Sequence, residues 1–161
     1  MENSLKTILW DQFGASIDML ENALEMCPDN LWATDTKFWY IAYHTLFYLD
    51  YYLSEDADSF SPPAPFTLTE FDPSGAMPER VYTKTELLTY HTHCKIKCRN
   101  LIEELNDENA AKRFINAYRN YSRMEIIIYN MRHVQHHTAQ LYLLLRQGMN
   151  DAPKWVSRVR N

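Results

Sequence analysis

Glycine is nearly absent, with 3 in 161 residues. That leaves nothing for a Gly-rich phosphate loop, and neither G-x-G-x-x-G nor G-x-x-x-x-G-K-[ST] occurs. It also argues against a turn-rich all-β fold. Cysteine is scarce and odd in number: Cys27, Cys94 and Cys98 do not describe a disulfide framework. Positive charge is in deficit, with a net charge of -5. Binding to a phosphate backbone needs a basic face, so nucleic acid is not an expected partner. Two basic clusters, Lys112, Arg113, Arg119 and Arg123, and Lys154, Arg158 and Arg160, read as solvated charge. Long apolar runs are missing too. Asp50, Asn130, Arg132 and several histidines interrupt the best of them, so no membrane span is expected. Met1-Glu2-Asn3-Ser4 lacks a basic stretch leading into an apolar one, so no signal peptide is expected and a reducing cytoplasm is the expected location.

Aromatic residues are plentiful, at 14% of the chain with 11 tyrosines. The length suits one domain, residues 1–161, large enough for a real core. Leu5, Leu9, Phe13, Ile17, Leu20 and Leu24 recur at spacings of three and four, which predicts an amphipathic helix over about Ser4 to Met26. Cys27-Pro28-Asp29-Asn30 ends it in a turn. A second helix is expected from an N-cap at Asp35 or Thr36 to about Leu53. It is apolar on nearly every side, so it should be central. One of its stripes carries Lys37, Tyr40, His44, Tyr48 and Tyr51.

From Ser54 to about Tyr82 the periodicity breaks, and five of the seven prolines fall here. This reads as a long irregular connection, which in a compact domain is usually functional or mobile. Phe60, Phe66, Leu68 and Phe71 suggest that it packs on the body, covering the mouth of a site or joining an interface. A third helix starts at the capping box Thr83-Lys84-Thr85-Glu86 and ends at Asn106-Asp107-Glu108-Asn109, with a short helix or turn around Ala110 to Ala117. A fourth starts at the capping box Ser122-Arg123-Met124-Glu125 and runs to about Gln147, with Gly148 as its C′ residue. The tail Asp151 to Trp155 is expected to be extended, with Trp155 docked on the body. Four long helices, one long crossover and no strand signals predict an all-α four-helix bundle, a fold that builds metal sites from facing helices.

The fourth helix carries His133-Val134-Gln135-His136-His137. His133 and His137 are four apart, hence one turn apart on one face, together with Ile126, Tyr129, Gln140 and Leu144. Two imidazoles on an apolar stripe are hard to bury without partners, since each brings a donor and an acceptor. A shared divalent metal satisfies one nitrogen of each, and His44 on the second helix is the matching third ligand. Core histidines without metal are the plainer alternative. No Glu follows His133, so this is not the HExxH motif. Three protein ligands describe an open site, which is the catalytic rather than the structural pattern. Zinc and nickel both suit imidazole.

Gln140 is expected to satisfy groups just behind the ligands, deep in the bundle. His136 is expected to be a bystander at the surface. His91 and His93 are expected to be exposed or at an interface, and Cys94 and Cys98 to be packed thiols rather than ligands. No residue stands out as a nucleophile or as an acid–base pair.

The stretch His133-Val-Gln-His-His-Thr-Ala-Gln140 resembles the DinB / YfiT-like family of four-helix-bundle metalloproteins, whose members carry HxxHHxGQ or close variants on the last long helix and a single His on the second. His44, within Trp39-Tyr-Ile-Ala-Tyr-His, takes that second place, and Pro153-Lys154-Trp155 looks like the family's usual end. The resemblance runs through the whole chain in helix order. Two departures stand out. The family's frequent Arg-Gly before the Gln is Thr138-Ala139 here, and the Ser54–Tyr82 connection is longer than usual.

The resemblance implies a divalent metal on His44, His133 and His137, with water completing the sphere, and a homodimer. Characterised relatives include thiol S-transferases that use low-molecular-weight thiols such as bacillithiol or mycothiol, and many members have no known activity. The leading expectation is thus a metal-dependent transferase, or a related enzyme such as a hydrolase, acting on small molecules. Tyr40 and Tyr48 would be substrate-facing donors. The alternative is a non-catalytic, metal-stabilised dimeric scaffold or interaction protein.

Overall fold

A computed structural model describes residues 2–160 of the chain. It is mostly helical. Helix α1 spans Asn3–Met26 and buries Leu9, Phe13, Ile17, Leu20 and Leu24, the residues whose spacing foretold it. It stops because Cys27, ahead of Pro28, is extended. A short helix, α2 (Asp29–Trp32), follows in place of the expected turn. Asp29 favours its positive N-terminal end, and Trp32 is buried with its indole N–H on the Tyr82 carbonyl at 2.9 Å.

Helix α3 (Phe38–Tyr52) begins without a side-chain cap. Neither Asp35 nor Thr36 serves. Lys37 occupies the cap position with φ 54°, and the Thr34 and Thr36 hydroxyls bond each other instead. Phe38, Trp39, Ala42, Tyr43, Leu46, Phe47 and Leu49 are all buried, so α3 is covered on most of its circumference. The half-buried residues Tyr40, His44 and Tyr48 mark its one partly open stripe.

The crossover between α3 and the next long helix is irregular apart from a 3-10 turn, Leu68–Phe71. Phe60 and Phe66 anchor it. Phe66 stacks on Tyr90 with ring centroids 4.4 Å apart, and the Tyr43 hydroxyl donates to the Thr67 carbonyl at 2.8 Å. Phe71 is half exposed but meets Phe47 edge-on, whereas Leu68 faces solvent.

Helix α4 (Lys84–Glu103) starts at a complete capping box between Thr83 and Glu86. The short helix α5 (Asp107–Ala111) is capped by Asn106 and Asn109 and lies earlier than expected. Where it was expected to continue, two three-residue strands form an antiparallel hairpin: β1 (Arg113–Ile115) and β2 (Asn120–Ser122), with Phe114 opposite Tyr121. Helix α6 (Arg123–Met149) has Ser122 as its N-cap, accepting from the Glu125 amide. Its C-terminal reversal falls on Asn150 at φ 57°, not on Gly148. Gly148 lies inside the helix, where a Cβ would come within 3.0 Å of Leu31.

Helix α3 packs against α6 and α4, and α1 packs against the other faces of α4 and α6. Several polar residues lie deeper than the sequence suggests. His91 is fully buried, with Nε2 2.9 Å from the Ile17 carbonyl oxygen. Arg123 is buried and donates to the Ser54 carbonyl at 2.9 Å, so it is not solvated charge. His93 is half exposed beside the buried Asp50, which also holds Lys97 at 2.5 Å. Cys94 and Cys98 are buried free thiols, as expected. Trp155 is 68% exposed and does not dock. The tail is instead tied further on, by the Val159 amide on the Asp11 carbonyl at 3.0 Å and the Arg160 amide on the Asp18 carboxylate at 2.7 Å. No helix among the described residues is long and apolar enough to cross a membrane.

Candidate metal centre

The packing of α3 on α6 brings the partly open stripe of α3 to the edge of the buried face of α6. On α6 the fully buried line is Ile126, Ile127, Asn130, Val134, Thr138, Leu141 and Leu145. Tyr129, His133 and His137 lie beside it, half-buried. The histidine stripe is therefore the rim of the core and not its middle, which leaves the cluster reachable from outside.

His44, His133 and His137 meet there. Each offers one ligand atom, and these atoms lie within 4.8 Å of one another. The Nε2 atoms of His44 and His133 are 3.4 Å apart. Two nitrogens at a zinc–imidazole distance of about 2.05 Å in a tetrahedral sphere would be about 3.4 Å apart. The ring centroids of His133 and His137 are 4.5 Å apart, and those of His44 and His137 are 4.7 Å apart.

The far nitrogens are handled differently. His44 Nδ1 lies 2.6 Å from Glu70 Oε2, and His137 Nδ1 lies 2.7 Å from Gln140 Oε1. His133 Nδ1 is buried and has no partner among the described residues. Gln140 is exposed rather than deep, and its amide also reaches the exposed His136, with Nε2 atoms 3.3 Å apart.

Burial, with the neighbouring imidazoles His137 and His44, pushes the His133 pKa down to about 3. Burial lowers that of His137 as well. Both are therefore neutral near pH 7, the state in which an imidazole can ligate. The donor set fits a divalent metal: three imidazoles whose nitrogens converge within 4.8 Å, two of them, His133 and His137, held neutral.

Tyr48 lies against His44 and His133, with ring centroids 4.8 and 5.7 Å away. Its hydroxyl donates to the Glu70 carbonyl at 3.2 Å. Tyr40 flanks His44 at 6.4 Å. Burial first, then the Glu70 carboxylate, raises the pKa of both phenols, so they stay protonated as donors.

Two residues of this neighbourhood were not expected here: Glu70 was not singled out, and Arg119 was read as solvated charge. Glu70 is delivered by the 3-10 turn of the crossover. Its signal was present, since it is the one charged residue between Asp58 and Asp72, set between Leu68 and Phe71. Arg119, from the hairpin, lies over the rings of Tyr52 and Tyr129 at 5.4 and 4.8 Å and donates to the Tyr129 hydroxyl at 2.7 Å. It forms no ion pair among the described residues. Nothing in the sequence around it pointed there.

A hollow of about 870 Å³ lies between α4, α5 and the hairpin, lined by His93, Lys97, Asn100, Arg113 and Arg123 among others. None of the three clustered histidines lines it. Lys97 is engaged there by Asp50 and Arg123 by the Ser54 carbonyl.

The model of the DinB family matches residues 29–155, from α2 through α6 into the tail. No curated protein and no solved structure matches the chain.

Proposed function

The chain belongs to the DinB family, and from that premise we propose that it holds a divalent metal on His44, His133 and His137 and acts on small molecules as a metal-dependent thiol S-transferase or a related enzyme. The observation that carries this reading is the convergence of three imidazoles from α3 and α6 within 4.8 Å. The four long helices α1, α3, α4 and α6 are read with it as the family's four-helix bundle.

Three imidazoles leave part of a metal's coordination sphere to water or substrate. A cation there supplies Lewis acidity, which lowers the pKa of a bound thiol or water. Zinc and nickel fit the imidazole set equally. The chain's own residues do the rest. His44, His133 and His137 hold the ion, and the acceptor oxygen of Gln140 keeps His137 turned toward it. Tyr40 and Tyr48 line the approach as protonated phenols. Arg119, one ring away from His133 through Tyr52, suits an anionic group on the substrate. The thiol is of low molecular weight, the working form a homodimer and the location cytoplasmic.

Cobalt substitution followed by thiol titration tests the reading. Direct sulfur ligation gives a strong charge-transfer band, and its appearance at stoichiometric thiol is the expected result. A cobalt protein whose spectrum ignores every thiol, but whose melting temperature falls on metal removal, would instead identify a metal-stabilised scaffold.

A further inference from the structure

Glu70 is buried against a ligand of the proposed metal. Its side chain is 4% exposed. One carboxylate oxygen lies 2.6 Å from His44 Nδ1, and the other has no partner among the described residues. No lysine or arginine pairs with it among them. An ionised carboxylate out of water and without a counter-charge is costly. A divalent cation on the opposite nitrogen of the same ring would supply the missing charge through that ring.

The backbone around Glu70 is held by the same helix. Side chains at three positions of α3 grip the segment: Tyr43 on the Thr67 carbonyl, His44 on the Glu70 carboxylate and Tyr48 on the Glu70 carbonyl. Phe71 adds edge-on ring contacts with Phe47 and Tyr51 at one end of the turn Leu68–Phe71, while Leu68 at its other end is 46% exposed.

We propose that Glu70 is a positioning residue of the metal centre, accepting the His44 Nδ1 hydrogen so that Nε2 faces His133 and His137, and that metal binding and docking of the 66–72 turn are one linked equilibrium. This rests on the metal reading above. Removing such a carboxylate behind a ligating histidine typically weakens metal affinity by about 10- to 100-fold. Linkage is reciprocal: whatever factor the docked turn adds to metal affinity, the metal adds to docking.

The test uses the full chain with Zn²⁺ as the probe. Zinc affinity is measured by competition with a chromophoric chelator for wild type, Glu70→Gln and Glu70→Ala. Hydrogen exchange of the peptide covering residues 66–72 is followed with and without zinc. Gln keeps the size and an acceptor oxygen, so Glu70→Gln isolates the charge and guards against misfolding of the alanine variant. The expected result is zinc binding weakened about 10- to 100-fold in Glu70→Gln, and zinc-slowed exchange of the turn in wild type but not in Glu70→Ala. Affinity equal to wild type in Glu70→Gln overturns the proposal, even where the variant melts lower. So does exchange of the turn that zinc leaves unchanged. Wild type that binds no zinc overturns the metal reading and this proposal together, which separates the two failures.

Discussion

At the scale of single residues, the account turns on how buried polar groups are satisfied. His133 and His137 were legible because a spacing of four on an amphipathic helix fixes a shared face. His44 was legible because it is the one imidazole on the second apolar helix. Glu70 was legible as the one charge between Asp58 and Asp72 in the crossover but could not be placed, since an irregular crossover has no period from which to locate a side chain. His91 and Arg123 read as exposed residues because their partners, the Ile17 and Ser54 carbonyls, are distant in sequence. Two predictions belong here. Burial lowers the His91 pKa from its ordinary value near 6.5. The unfolded chain then binds a proton that the folded chain refuses, so stability is full above about pH 6.5 and falls as the pH drops below it. Urea midpoints at pH 7.5 and pH 5.5 measure this, and His91→Gln should show a smaller loss between them than wild type. The second concerns Thr138, whose buried hydroxyl has no partner among the described residues. Thr138→Val, which replaces that hydroxyl by a methyl of similar size, should leave stability unchanged or raise it by up to about 1 kcal/mol in denaturant unfolding.

At the scale of elements, the long helices followed from three- and four-residue spacing, and the Thr83–Glu86 capping box marked the start of α4. Thr83→Ala should cost about 1 kcal/mol, read as a shift in the urea midpoint without a change in slope. The hairpin was invisible because strands of three residues are too short to show alternation. The beginning of α3 was misplaced because Lys37 turns the chain through backbone geometry and not through a capping side chain. At the C-terminal end of α6, Asn150 does what Gly148 was expected to do, and Gly148 is there for Leu31. Gly14 plays a similar part in α1. A Cβ on it would lie 2.5 Å from the Val159 side chain, so Gly14→Ala should displace the tail and cost about 1–3 kcal/mol. Faster proteolysis of the C-terminal segment would report the displacement.

At the scale of the whole molecule, the aromatic surplus has a clear use. Tyr43, Phe47, Tyr51, Phe60, Phe66, Phe71 and Tyr82 form a continuous set of ring contacts that fastens the crossover to α3. That fastening carries Glu70 to His44, so the crossover belongs to the site. Metal should then stabilise the fold as a unit. At a free metal concentration 100 times Kd the gain is about 2.7 kcal/mol. Chelation should lower Tm by roughly 5–10 °C, measured by calorimetry before and after metal removal.

The central claim is that His44, His133 and His137 hold one divalent metal. Metal content per chain after reconstitution with zinc and removal of the excess tests it most directly, for wild type and for His44→Ala, His133→Ala and His137→Ala. The account predicts one zinc per chain in wild type and a loss of most of it in each variant that remains folded by circular dichroism. Wild type without zinc, or folded variants that retain it in full, would contradict the account.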